Sequence, residues 1–227
     1  DLDGVPSGFD NAGVKAAREE LETALTSCGL HLAEGSKVWD VFEAFELRLL
    51  QLSAGGSDAA AQEARVRALY KRRLAVPLLD MESTSSRYIA WERHKQAARG
   101  GDAELEIEGV LRSYAEALNE MAHRRPIEMR IAAAAQAAGS SDPWAAKGGM
   151  WPLWEQYLEL EGTKDPWRSR MLFERMLAPQ APGSGSEAPL SERAWLWRRY
   201  LRFLREHLRS TDMETQVARR AVRLCAS

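Results

Sequence analysis

The chain has 227 residues, 45% of them hydrophobic, enough to bury a substantial core. Its 31 Lys and Arg against 33 Asp and Glu leave a formal net charge of -2, which excludes the chain-wide basic footprint of a general nucleic-acid binder and confines any basic surface to a patch. No apolar run approaches the ~18 residues of a membrane span, and Cys28 and Cys225 stand outside any CxxC or Cys/His grouping, so they read as small hydrophobes in a reducing compartment.

Apolar residues recur at three- and four-residue spacing with almost no strand-like alternation, which makes the chain all-α. Residues 1–12 read as a disordered end, since Asp1-Leu2-Asp3-Gly4 opens like a calcium loop but lacks the later ligands. With no initial Met and no secretion signal, the chain reads as a fragment of a longer intracellular protein. Helices are predicted at about 13–28, 36–53, 59–75, 81–98, 103–121, 126–138, 150–162, 165–178, 190–209 and 213–225. Gly, Pro, Ser and Asp mark the breaks, as in Gly55-Gly56-Ser57-Asp58, and the stretch 179–189 reads as the most flexible connection. Ser57 or Asp58, Asp102, Asp165 and Ser191 stand where an N-cap is wanted.

Four segments superimpose: Trp39-xx-Phe42-xx-Phe45-Glu46, Ser85-xx-Tyr88-xx-Trp91-Glu92, Trp154-xx-Tyr157-xx-Leu160-Glu161 and Trp197-xx-Tyr200-xx-Phe203-Leu204. Each sets large side chains three apart on one helix face, and each is followed by a second helix carrying an arginine near its start: Arg65, Arg112, Arg168 and Arg219, with Arg175 further along the third. An earlier copy of the second helix contains Arg18. A lone pair of helices cannot bury rings of this size, but stacked pairs can, so each repeat's aromatics are expected to pack on the next repeat's second helix. The acid that closes three of the four aromatic sets, with Leu204 in its place in the fourth, and the arginine of the second helix predict a recurring polar contact.

This pattern resembles the HAT (half-a-tetratricopeptide) repeat of RNA-processing proteins, most clearly in Asp165-Pro166-Trp167-Arg168-Ser169-Arg170-Met171-Leu172-Phe173-Glu174-Arg175. The stretch at 64–84, with Tyr70-Lys71-Arg72-Arg73-Leu74 followed by Asp80-Met81-Glu82, is similar to the HAT region of factors that recycle the U4/U6 small nuclear ribonucleoprotein. The resemblance implies a right-handed α-α superhelix of about ten antiparallel helices over 13–227, a nuclear location with some cytoplasmic presence, and a non-catalytic scaffold in splicing. It further implies other proteins as partners, a deubiquitinase among them, self-association of the full-length protein, and RNA contacts made through domains outside this chain. Two other readings stay open: direct RNA binding through a basic helix face, and a scaffold of mRNA 3′-end processing.

His31, His94, His123 and His207 are scattered, no nucleophile arrangement or phosphate loop occurs, and no cofactor or metal is expected. Trp39, Trp91, Trp154 and Trp197 are assigned to core packing, whereas Trp195 and Trp151 lie off the repeat register as candidate exposed anchors. Arg198, Arg202, Arg205 and Arg209 follow spacings of four, three and four, which puts them along one helix face as a basic stripe; with Lys71, Arg72 and Arg73 they are the candidate partner or RNA surface.

Overall fold

The computed structural model describes residues 12–97, 103–137, 151–162, 164–178 and 190–225. Among them the regular elements are all helical: α1 Ala12–Cys28, α2 Gly35–Leu52, α3 Ala59–Leu74, α4 Met81–Ala97, α5 Glu104–Ala137, α6 Trp151–Glu161, α7 Pro166–Met176, α8 Leu190–Phe203, a π-helical turn Leu204–Leu208, and α9 Thr211–Cys225. The fold is an all-α helical repeat. The predicted terminal segment up to residue 11, the connection 179–189 and Asp102 lie outside the described residues, as do the side chains of Trp151 and Ser191. Two compact units divide the chain, Asp1–His123 and Arg124–Ser227, the division falling within α5.

Two element boundaries differ from expectation. The helices predicted at 103–121 and 126–138 are one helix, α5, with Pro126 inside it. An internal proline removes one hydrogen bond and crowds the carbonyl four residues back. Here Pro126 and Ala122 are both exposed, so that carbonyl meets water, while Met121 and Ile127 are buried in the cores of their respective units. The helix predicted at 190–209 ends as α8 at Phe203 and runs on as the π turn, which stops at Arg209 in the left-handed region (φ 50°).

The aromatic positions build the cores. In the first unit Trp39 and Phe42 of α2 pack with Leu69, Leu78 and Met81, and Phe45 lies half-buried against them. A second cluster joins Leu50, Val66, Tyr70 and Leu74 to Tyr88 of α4, with Trp91 half-buried beside it. In the second unit Trp154, Tyr157, Phe173, Trp197, Tyr200 and Leu204 share one cluster, with Phe203 partly buried against it. Trp39 and Phe42 share their cluster with Ala117 and Met121 of α5, the second helix of the next repeat, and ring contacts also run the other way. Tyr70 of the second helix α3 lies under Tyr88 and Trp91 of the following α4 (5.5 and 5.9 Å), and Phe173 of α7 lies under Tyr200 and Phe203 of the following α8 (4.9 and 5.3 Å). Each of these second helices therefore receives the next repeat's aromatic helix, because its own face toward the first helix is already occupied.

The caps separate by backbone conformation. Asp165 is extended (φ -129°, ψ 94°), and its carboxylate accepts from the amides of Trp167 and Arg168. Asp58 is itself helical (φ -87°, ψ -7°) and makes no side-chain cap bond, because a helical residue aims its carboxylate away from the free first-turn amides. Asp165→Ala is expected to destabilise the second unit by about 1 kcal/mol and Asp58→Ala by a few tenths, read from urea unfolding.

Candidate interaction surface

The acid four residues past the middle ring of each aromatic set governs the junction between repeats. Glu46, Glu92 and Glu161 are 3%, 0% and 3% exposed, and each is gripped by two bonds from one guanidinium. Arg18 of α1 holds Glu46 at 2.7 and 3.0 Å, Arg67 of α3 holds Glu92 at 2.8 and 2.8 Å, and Arg124 of α5 holds Glu161 at 2.6 and 2.8 Å. Gln62 adds to the first by donating to both the side chain and the backbone carbonyl of Glu46. Bidentate pairs of this kind fix geometry as well as charge.

The expected polar contact thus exists, with different arginines. Arg18 is the predicted one; Arg65 is exposed beside Gln62, and Arg67, two residues on, faces Glu92. In the third junction the arginine is Arg124 rather than Arg112, because α5 runs on through the expected break. A step of two residues turns a side chain about 200° around a helix, which sequence spacing alone does not resolve. At the fourth junction Leu204 stands in the acid's place and is fully buried. Arg170, in register with Arg67 three residues before the stacked ring, lies over the exposed Trp167 instead (5.9 Å), and Arg168 donates to Asp165 at 2.9 Å.

A second recurrent contact ties the first-position tryptophans to the helix that follows. Arg72 lies over Trp39, Arg175 over Trp154 and Arg220 over Trp197, at 5.7, 4.9 and 5.5 Å from the ring centres. Such cation–π pairs contribute roughly 0.5–2 kcal/mol each, more where water is excluded. Arg175 also holds Glu128 at 2.5 and 2.9 Å, and Arg220 holds Glu174 at 2.7 Å, which also accepts from the Tyr200 hydroxyl. The neighbouring Arg219 is exposed.

These contacts redistribute the predicted basic surface. Arg73 is 2% exposed, bound to Asp40, Glu43 and Asp80, and so belongs to the core rather than to a partner face. Lys71 reaches Glu106 and Arg72 reaches Glu22, which holds the Glu22 carboxyl below its usual range. The stripe of four arginines is interrupted. The π turn inserts an extra residue per turn after Phe203, so Arg205 swings onto Glu214 of α9 while Arg198 and Arg202 stay exposed on α8. Arg209 is exposed past the turn's end. Trp195 is 43% exposed with Arg199 over its ring at 5.3 Å. A cleft of about 270 Å³ opens beside this face, bounded by α6, α7, α8 and the π turn.

Burial holds the ring hydroxyls in their neutral form. It pushes Tyr88 up to about 12, with the Glu92 charge adding to the effect, and raises Tyr70, Tyr157 and Tyr200 further in the same direction. A proton kept more tightly in the folded state stabilises the fold up to the unfolded value near 10 and is lost as pH climbs through the folded one. Stability is therefore expected to fall steeply from about pH 10 upward, with tyrosinate absorbance and loss of helical ellipticity rising together in an alkaline titration.

No protein-family model matches the chain. Curated relatives do: the chain is 28% identical over 214 residues, 94% of its length, to the spliceosome associated factor 3, U4/U6 recycling protein of Mus musculus. It is 28% identical over the same 94% to that of Homo sapiens, and 30% identical over 89% to that of Danio rerio. The chain is a region like that of spliceosome associated factor 3. It spans 18–19% of the length of these relatives. The aligned 94% takes in both units, so the likeness is not confined to the stretch at 64–84.

Proposed function

We propose that the chain is a protein-binding scaffold that serves U4/U6 snRNP recycling in the nucleus. The observation that carries this reading is the likeness along nearly the whole chain to relatives named as U4/U6 recycling proteins. The build of the repeats supports it. Bidentate pairs at three junctions and cation–π contacts in three repeats hold each unit's helices in fixed register, and a fixed face docks a partner at little ordering cost. Partners would be proteins of the splicing machinery, a deubiquitinase among them, and self-association would belong to the longer protein.

Immobilised chain in nuclear extract is expected to retain U4/U6 components. Recovery of 3′-end cleavage factors without them overturns the recycling assignment. Direct RNA binding is not favoured, because the predicted stripe is interrupted and Arg205 is engaged by Glu214. Labelled U4/U6 RNA titrated at two salt concentrations is accordingly expected to show no saturable, salt-sensitive binding.

A further inference from the structure

We infer that the cleft between α6, α7 and α8 of the second unit is a docking site for an acidic peptide segment carrying one bulky apolar side chain. This deepens the scaffold reading and rests on it, by naming the chemistry of one partner surface. The cleft's volume, about 270 Å³, falls below the ~300–1,000 Å³ of cavities that enclose whole small molecules, so it suits a side chain or two of a polypeptide laid across it. Phe173 and Phe203 supply an aromatic wall, their rings 5.3 Å apart.

The charge on the rim is the second argument. Arg199 and Arg202 line the cleft with one acid, Glu206, and with His207. Arg199 is anchored from outside by Glu155 at 3.3 Å and stacks on Trp195, which steadies it beside the opening. Arg202 is exposed and makes no hydrogen bond or ion pair among the described residues, so its guanidinium is available to a carboxylate fork. The π turn is the third. It carries Glu206 and His207, sets His207 against Phe203 at 5.0 Å, and ends on Arg209 at positive φ, a conformation that a non-glycine residue adopts at a cost. An acidic, partly apolar peptide fits this combination. A nucleic-acid backbone, which needs a row of free cations, fits it less well, since of the two arginines lining the cleft Arg199 is already paired with Glu155 and Arg202 alone is unpaired among the described residues.

The test uses the whole 227-residue chain and a fluorescein-labelled peptide, Glu-Asp-Leu-Glu-Asp-Phe-Glu-Asp. Anisotropy is expected to show saturable binding that weakens with salt. Arg202→Glu should reduce affinity about tenfold and Arg202→Gln by a smaller factor, while Arg93→Glu, an equal charge change in the other unit, leaves it unchanged. Helical ellipticity should be unaltered in all three variants, since Arg202 and Arg93 are exposed. The version with Ser in place of Leu and Phe should bind more weakly. Absence of saturable binding overturns the proposal, as do equal losses in Arg202→Glu and Arg93→Glu, or tighter Arg202-dependent binding of an RNA oligonucleotide of the same charge. Recovery of U4/U6 components from extract is scored separately on the same protein. Peptide binding without that recovery removes the recycling reading alone; recovery without peptide binding removes the cleft alone.

Discussion

Glu92→Ala is expected to destabilise the first unit by about 3 kcal/mol, because it removes the fully buried bidentate partner of Arg67 and leaves the guanidinium only the longer contact to Glu63 at 3.3 Å and the Trp91 ring. A guanidinium keeps its proton in proteins, so the arginine cannot shed the cost by losing its charge. The reciprocal change, Arg67→Met, should cost a similar amount, since it leaves a carboxylate with 0% exposure facing an apolar side chain. The double variant Arg67→Met/Glu92→Leu should return to within about 1 kcal/mol of the parent, because two apolar groups of like volume avoid both desolvation penalties. Urea unfolding with hydrogen exchange of the α3 and α4 amides reads all three. If the double variant is as unstable as the sum of the singles, the pair is a net source of stability and the argument fails. The fourth junction already carries an apolar residue in the acid's place, Leu204 with 0% exposure, so an apolar solution at this position is compatible with the repeat.

Tyr200→Ala is the second large effect, with an expected loss of about 3–5 kcal/mol in the second unit. The ring is fully buried, stacks on Phe173 at 4.9 Å, and donates its hydroxyl to Glu174 at 2.8 Å. Truncation opens a cavity inside a single cluster that joins α5 through α9, so little of it can close by local movement. Tyr200→Phe separates the two contributions. It keeps the stack and removes one hydrogen bond, and Glu174 retains Arg220, so its cost should stay near about 1 kcal/mol. Thermal unfolding followed by near-ultraviolet circular dichroism distinguishes the variants. Equal losses for the two would place the stabilisation in the hydroxyl rather than the ring.

The repeat was legible because rings three residues apart declare one helix face, and that face had to be buried. The positions Trp39, Phe42, Tyr88, Trp154, Tyr157, Trp197 and Tyr200 are all in the cores. The acid that follows them could be read as a partner for an arginine from its recurrence alone, and Arg18 could be matched to it. Arg65 and Arg219, chosen by the same alignment, are exposed, Arg65 beside Gln62, while Arg67 two residues along meets Glu92 and Arg220 one residue along meets Glu174. The continuous α5 was hidden for a similar reason. Proline forbids a helix only where its lost hydrogen bond is buried, and the exposure of Ala122 and Pro126 is not written in the local pattern.

The sequence by itself determined the all-α class, the paired-helix repeat and the ring positions, because these depend on periodicity within one helix. Only the tertiary structure decided which arginine meets which acid, since the partners lie 25 to 37 residues apart and on different helices. It likewise decided that Arg73 is a core residue caged by carboxylates while Arg202 faces an open cleft. The physical reason is the same for both. The environment of a charge is set by what packs around it, and the π turn after Phe203 moves that packing by a single residue.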